Sequence, residues 1–288
     1  VLRHRLPVSV VLIASFVGIL IVDGWTAPYH AIWMTLVVLA GILATVELIP
    51  LLTATIARPF VVPLFAGTIL CLASNAMTSV SMAQGVDSLG PLGCAFVVSI
   101  IVAFSAGVRT FDDITPVTPR VASTILGIAY IGVLGSFLAQ LRFLNGHENG
   151  IYALALVVGA TKGTDIGAYT FGKLFGRHLM TPRLSPKKTW EGAAGGLIFA
   201  IAIVSGLTWL EGSARGSVTL SGWPMILAFA LTVSIAGQTG DLAESMLKRE
   251  SKVKDASSVI PGFGGILDLL DSLMLAAPAG WAILTVLG

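Results

Sequence analysis

Two groups of side chains in the last third of the chain have the types and spacing for chemistry on phosphates. Within 237-GQTGDLAESMLKRESKVKDASSVIPGFGGILDLLDSL-273, offsets of three, four and seven residues put Asp241, Glu244, Ser245 and Lys248 on one helical stripe, and Asp268 and Asp271 on a second. Between the stripes lie Lys248, Arg249, Lys252 and Lys254, then Pro261-Gly262 and Gly264-Gly265, which bend the backbone back. An ionised carboxylate in a run as apolar as 264–280 is costly unless something compensates it. Carboxylate oxygens attract a hard cation, and Mg²⁺ takes one or two of them and completes its shell with water and phosphate. Asp241 and Asp268 together read as such a metal site. Glu244 with Lys248 also reads as an i,i+4 ion pair, and Asp271 as a capping or water-facing acid.

Two earlier stretches add cations and a further acid. In 183-RLSPKKTWEGAAGG-196, Ser185-Pro186 starts a turn, Lys187 and Lys188 supply ammonium groups, and Thr189 caps a helix entering at Trp190 and Glu191. Cations beside a helix amino terminus make a place for phosphate oxygens; a basic loop at a membrane surface also attracts anionic head groups. In 159-GATKGTDIGAYTFGKLFGRH-178, Gly163/Gly167 and Gly172/Gly176 are GxxxG pairs that let helix backbones approach closely. Asp165 there is either a solvated helix-end charge or a cation ligand. The string from Gly167 to Leu174 imitates a phosphate-binding loop, but it lacks the final Ser/Thr and no strand precedes it.

The elements that must hold these residues are membrane helices. Of 288 residues, 55% are hydrophobic and 11% charged, whereas soluble domains carry about a quarter charged residues. Apolar blocks near 8–22, 31–52, 60–77, 92–108, 121–141, 151–171, 191–210, 223–247 and 267–287 predict an all-α protein of about nine transmembrane helices. The sixth and eighth blocks run into polar, Gly-rich ends, which predicts broken or Gly-kinked helices in the carboxyl-terminal half. Arg3, His4 and Arg5 precede the first block without a small-residue cleavage site after it, so that block reads as span one. With the amino terminus in the cytoplasm, only Arg142 and Arg215 of the 17 Lys and Arg residues fall outside the cytoplasmic loops, the asymmetry of positive-inside topology. The chain reads as one polytopic domain, 1–150 without a motif and 151–288 carrying the chemistry. In the first half, Arg109, Asp112 and Asp113 read as solvated loop charges. Cys71 and Cys94 lie in apolar blocks without disulfide or zinc spacing, and nothing in the charge pattern points to nucleic acid.

The third stretch resembles the signature of the phosphatidate cytidylyltransferases, the CDP-diacylglycerol synthases. Ser245-x-Leu247-Lys248-Arg249, Lys254-Asp255 and Pro261-x-x-Gly264-Gly265-x-x-Asp268-x-x-Asp271 match in type and spacing. Gly240-Asp241-Leu242-x-Glu244-Ser245, Asp165-x-Gly167-Ala168-Tyr169 and the stretch Ser185 to Gly192 are similar to that family as well. The resemblance implies transfer of CMP from CTP to phosphatidic acid, giving CDP-diacylglycerol and pyrophosphate with Mg²⁺, and K⁺ as a second cation. It further implies a homodimer in a bacterial cytoplasmic (inner) membrane, with the active site facing the cytoplasm. On the matching positions, Asp241 and Asp268 are the principal metal ligands, with Asp165, Glu244 and Asp271 as supporting acids. Lys187, Lys188, Lys248 and Arg249 hold phosphates, and Ser185, Thr189, Lys254, Gly264 and Gly265 line the substrate; Asp241, Asp268, Lys188 and Lys248 carry the catalysis. The chain departs from the family at Phe263 and Leu269, where His and Arg are usual, so a polar donor and a fixed cation are missing.

Other activities share these features. A CTP-dependent lipid kinase, or a cytidylyltransferase for another lipid phosphate, uses the same metal and lysine arrangement with a different acceptor. An ion-coupled transporter also places carboxylates at membrane depth, but the chain has no internal repeat of the kind such folds often carry.

Overall fold

The computed structural model describes residues 14–27, 29–77, 89–144, 149–253, 256–257 and 264–286. It is an all-α membrane protein, and nine helices among the described residues fall where the nine apolar blocks lie. They are α1 (Ala14–Thr26), α2 (Ala31–Thr55), α3 (Val61–Ser74), α4 (Gly90–Arg109), α5 (Thr118–Phe143), α6 (Asn149–Phe175), α7 (Trp190–Arg215), α8 (Trp223–Glu250) and α9 (Ile266–Val286). Six of them, α2, α4, α5, α7, α8 and α9, are long and apolar enough to cross a bilayer. α1 and α3 are shorter, and α6 reaches 27 residues with a polar second half.

α6 and α8 run unbroken through their Gly-rich ends. The irregular helix is α5, which widens into a π segment over Ile128–Val133. Ser185–Thr189 is a strand rather than a turn: β2 pairs antiparallel with β1 (Leu179–Thr181) in a two-stranded ribbon between α6 and α7.

The chain forms two compact units, one from 1–140 with 250–269 and one from 141–249 with 270–288. In the first, buried Leu48, Leu52, Leu64, Cys71, Ile128 and Ile131 make the core of α2, α3 and α5. Gly132 in the π segment lies against α3, where an added Cβ would meet the Thr68 Cα at 3.2 Å. Buried Asp23 caps α2 by accepting from the Trp33 N–H at 2.9 Å, and its other oxygen lies 2.8 Å from His30 Nδ1. In the α4–α5 loop, Asp112 builds a turn by accepting from the N–H groups of Ile114 and Thr115. Those donors hold its carboxyl below the usual carboxylate range.

The second unit is organised by α6 and α7, antiparallel neighbours along a seam of glycines. A Cβ at Gly167 would lie 2.6 Å from the Gly195 carbonyl oxygen, and one at Gly196 would lie 2.8 Å from that of Thr164. Close backbone approach, the reading of the GxxxG pair Gly163/Gly167, is the arrangement found. The two basic residues that the positive-inside reading leaves outside the cytoplasmic loops, Arg142 and Arg215, belong to this unit. Arg142 is buried at the end of α5, and Arg215 lies 3.4 Å from Glu211 and over the Tyr152 ring.

Candidate active site

The second unit brings residues from all three motif stretches together. β2 presents Lys188 to α8, where its Nζ lies 2.8 Å from Asp241 Oδ2; the two side chains are 23% and 34% exposed. Lys188 Nζ is shielded from solvent and makes this ion pair without an aligned hydrogen bond among the described residues. On α6, Lys162 Nζ lies 3.3 Å from Asp165 Oδ2 and 3.4 Å from Ser272 Oγ on α9. Asp165 is within Coulombic range of Asp241 and Lys188, and Asp271 within range of Asp241, Asp165 and Lys162. With all five ionised, three carboxylates and two ammonium groups leave one negative charge, which favours an added cation.

Local sequence explains how these groups meet. α8 approaches α9 at Gly240, where a Cβ would sit 2.5 Å from the Asp271 carbonyl oxygen and 3.2 Å from the Ser272 Cα. Any larger residue at 240 would push Asp241 away from Asp271. Thr189 accepts from the Gly192 N–H at 3.1 Å, the cap its position predicts. That cap starts α7 and ends β2 one residue after Lys188. Glu191 accepts from the backbone N–H groups of Arg177 and His178 and lies 2.5 Å from His178 Nδ1, fastening the ribbon to the head of α7.

The remaining predicted residues are placed as follows. Ser185 begins β2 opposite Thr181, and Lys187 is exposed on the same strand. Arg249 donates to the Leu184 carbonyl at 3.4 Å, tying the end of α8 to the ribbon. Ser245 donates to Asp241 Oδ1 at 3.4 Å. Glu244 is buried and pairs with Lys248 at 2.6 Å, so the i,i+4 ion pair is present.

Asp268 belongs to the first unit, in the first turn of α9. Its Oδ2 accepts from the Gly265 N–H at 2.8 Å and the Ala256 N–H at 3.0 Å. Gly264 has φ +94°, and a Cβ there would meet Asp268 Oδ2 at 2.6 Å; Gly265 lies against the Glu47 carboxylate. Both glycines are therefore explained by the acids beside them. Lys254, Asp255 and Phe263 lie outside the described residues.

Among the described residues, no group of three or more His, Cys, Asp or Glu side chains converges closely enough to hold a metal ion by itself. Mg²⁺ needs only one or two protein carboxylates when phosphates and water complete its shell. Asp241, with Asp165 and Asp271 in electrostatic range, fits that requirement in donor type and charge.

The sequence matches the cytidylyltransferase family over residues 3–287. The chain belongs to that family. It is 29% identical over 277 residues to the phosphatidate cytidylyltransferase of Staphylococcus haemolyticus, an alignment covering 96% of each chain. It is 36% identical over 168 residues to the phosphatidate cytidylyltransferase of Mycobacterium bovis, and 34% over 167 residues to that of Mycobacterium leprae, with 58% of this chain covered in each case. The matched region spans about half the length of the mycobacterial relatives, 51% and 50%.

Two residues at these sites were not singled out from sequence. Lys162 stands in a Gly- and Thr-rich helical stretch, and Glu47 in an otherwise apolar span. A charge inside a span was the available signal for both.

Proposed function

We propose that the protein is a phosphatidate cytidylyltransferase, transferring CMP from CTP to phosphatidic acid to give CDP-diacylglycerol and pyrophosphate in phospholipid biosynthesis. The carrying observation is the Lys188–Asp241 pair with Asp165, Asp271 and Lys162 in range. A phosphate oxygen of phosphatidic acid attacks the α-phosphorus of CTP in line; the new P–O bond forms as the bond to the β-phosphate oxygen breaks, and pyrophosphate leaves with that electron pair. A phosphate monoester has its second pKa at about 6, so the attacking group is largely dianionic near neutrality and needs no protein base.

Mg²⁺ bound to Asp241 would neutralise phosphate oxygens on the attacking and leaving sides. Asp165 and Asp271 are supporting acids, and Glu244 acts through Lys248, which it holds. Lys188 exchanges Asp241 for a phosphate oxygen when CTP binds, and Lys187 and Arg249 add positive charge beside it. The assignment of Asp268 to the metal, and of K⁺ as a second cation, rests on the sequence resemblance, and so do roles for Lys254 and Ser185 at the substrate.

Purified protein with α-labelled CTP, Mg²⁺ and phosphatidic acid is expected to place label in lipid and release pyrophosphate. Lipid labelled only from γ-labelled CTP would identify a lipid kinase instead, and no transfer at all would reject both. Omitting K⁺ from the assay should lower the rate; an unchanged rate removes the second cation. The protein is a homodimer in the bacterial inner membrane with this site at the cytoplasmic face. A monomer mass by light scattering in detergent would exclude the first statement. A cysteine at position 187 labelled only from the periplasmic side would exclude the last.

A further inference from the structure

We infer that Glu47 is a positioning residue that holds the head of α9, and through it the carboxylate of Asp268. Glu47 lies in α2, a membrane-spanning helix, and is 7% exposed. An acid at such a place is expected to serve a function and to have an identifiable partner.

Its partner here is a helix terminus in the same unit. Glu47 Oε2 accepts from the Leu267 N–H at 2.8 Å, and Oε1 accepts from the Ile266 N–H at 3.1 Å and from the Ser257 hydroxyl at 2.6 Å. The first N–H groups of a helix lack intrahelical acceptors and carry the positive end of its dipole, so a buried carboxylate is stabilised there and fixes the helix in turn.

Asp268 completes the arrangement from the other side. It reaches back to the Gly265 N–H, the half of a capping box that a third-position acid supplies, and also takes the Ala256 N–H. Two carboxylates thus divide the donors of one helix start, Gly265 to Asp268, Ile266 and Leu267 to Glu47. Gly265 has no Cβ because one would lie 2.6 Å from the Glu47 Cδ. Ser251 donates to the Leu51 carbonyl at 3.2 Å, a second tie between the returning segment and α2.

Loss of the Glu47 bonds frees the first turn of α9, and Asp268 turns with it. The catalytic consequence rests on the function proposed above; the bonds themselves do not. Two measurements on the full-length protein in detergent therefore separate them. Hydrogen exchange of metal-free Glu47→Gln and Glu47→Ala protein is expected to accelerate about tenfold or more at Ile266 and Leu267, with α7 unchanged. In the CTP assay, kcat is expected to fall about tenfold in Glu47→Gln and about a hundredfold in Glu47→Ala, with KM for CTP within about twofold, the pattern of a displaced reacting group.

Unchanged exchange at 266 and 267 in Glu47→Gln overturns the inference, and so does accelerated exchange with undiminished kcat. A rise in KM alone would assign Glu47 to substrate binding and also overturn it. If the unaltered protein makes no CDP-lipid, the proposed function fails, and exchange alone decides whether Glu47 holds α9. Should Glu47→Ala fail to fold, Glu47→Gln, which keeps the side chain's length and one acceptor, carries both measurements.

Discussion

Glu47 and Asp268 of the first unit and Asp165 and Asp241 of the second all lie in helices, and they are compensated by different chemistry. Glu47 and Asp268 are held by backbone N–H groups of one helix start, together with the Ser257 hydroxyl. Asp165 and Asp241 are held by the ammonium groups of Lys162 and Lys188. A backbone donor cannot leave its place while the helix stands, so the first arrangement fixes geometry. A lysine is a point charge on a flexible stem, so the second can exchange partners when a phosphate or a cation arrives. Glu47 is thereby fixed to a helix start, whereas Asp165 and Asp241 have partners that can be exchanged.

Substitutions that remove the exchangeable partners should impair the reaction most. The largest effect is expected at Asp241: Asp241→Asn should lower CMP transfer about a thousandfold, the upper end for losing one electrostatic contact at a reacting centre. The protein should stay in the membrane fraction, and full activity would remove Asp241 from the reaction. Lys188→Ala should lower transfer about a hundredfold, measured as CDP-lipid formed at saturating Mg²⁺. An effect no larger than that of altering exposed Lys187 would show that the Lys188–Asp241 pair is structural.

Smaller effects are expected from substitutions in the helix scaffold. Gly196→Val places a Cβ 2.8 Å from the Thr164 carbonyl oxygen, a backbone atom that cannot give way. A loss of about 1–3 kcal/mol is expected from such overpacking, read as a lower detergent melting temperature. Thr189→Ala removes the cap of α7 and should cost about 1 kcal/mol. If Thr189→Ala lowers transfer far more than stability, the hydroxyl has a role in the site besides capping.

The departures noted in sequence differ in kind. Phe263 lies outside the described residues. Leu269, where a fixed cation is usual in the family, sits three residues before Ser272, the hydroxyl that Lys162 meets from α6. Lys162 and Asp165, three residues apart, read as an ordinary local pair; the contact that ties Lys162 to α9 is with Ser272, 110 residues away, and has no local signal. The ribbon at Ser185–Thr189 was missed for a related reason: five residues carrying Pro and two Lys have the composition of a turn, and only pairing with Leu179–Thr181 makes them a strand.

Hydropathy by itself located the nine helices, because burying backbone in lipid requires runs of apolar residues that satisfy their own hydrogen bonds. Spacing by itself gave the Glu244–Lys248 pair and the Thr189 cap, since both depend on contacts within a turn or two of helix. Tertiary structure decided what local pattern does not encode: that residues 250–269 return to the first unit, that Gly240 lets α8 reach the backbone at Asp271, and that Glu47 meets α9 across more than two hundred residues. Those pairings follow from which helix faces close against one another, and one chain read alone carries no direct record of that choice.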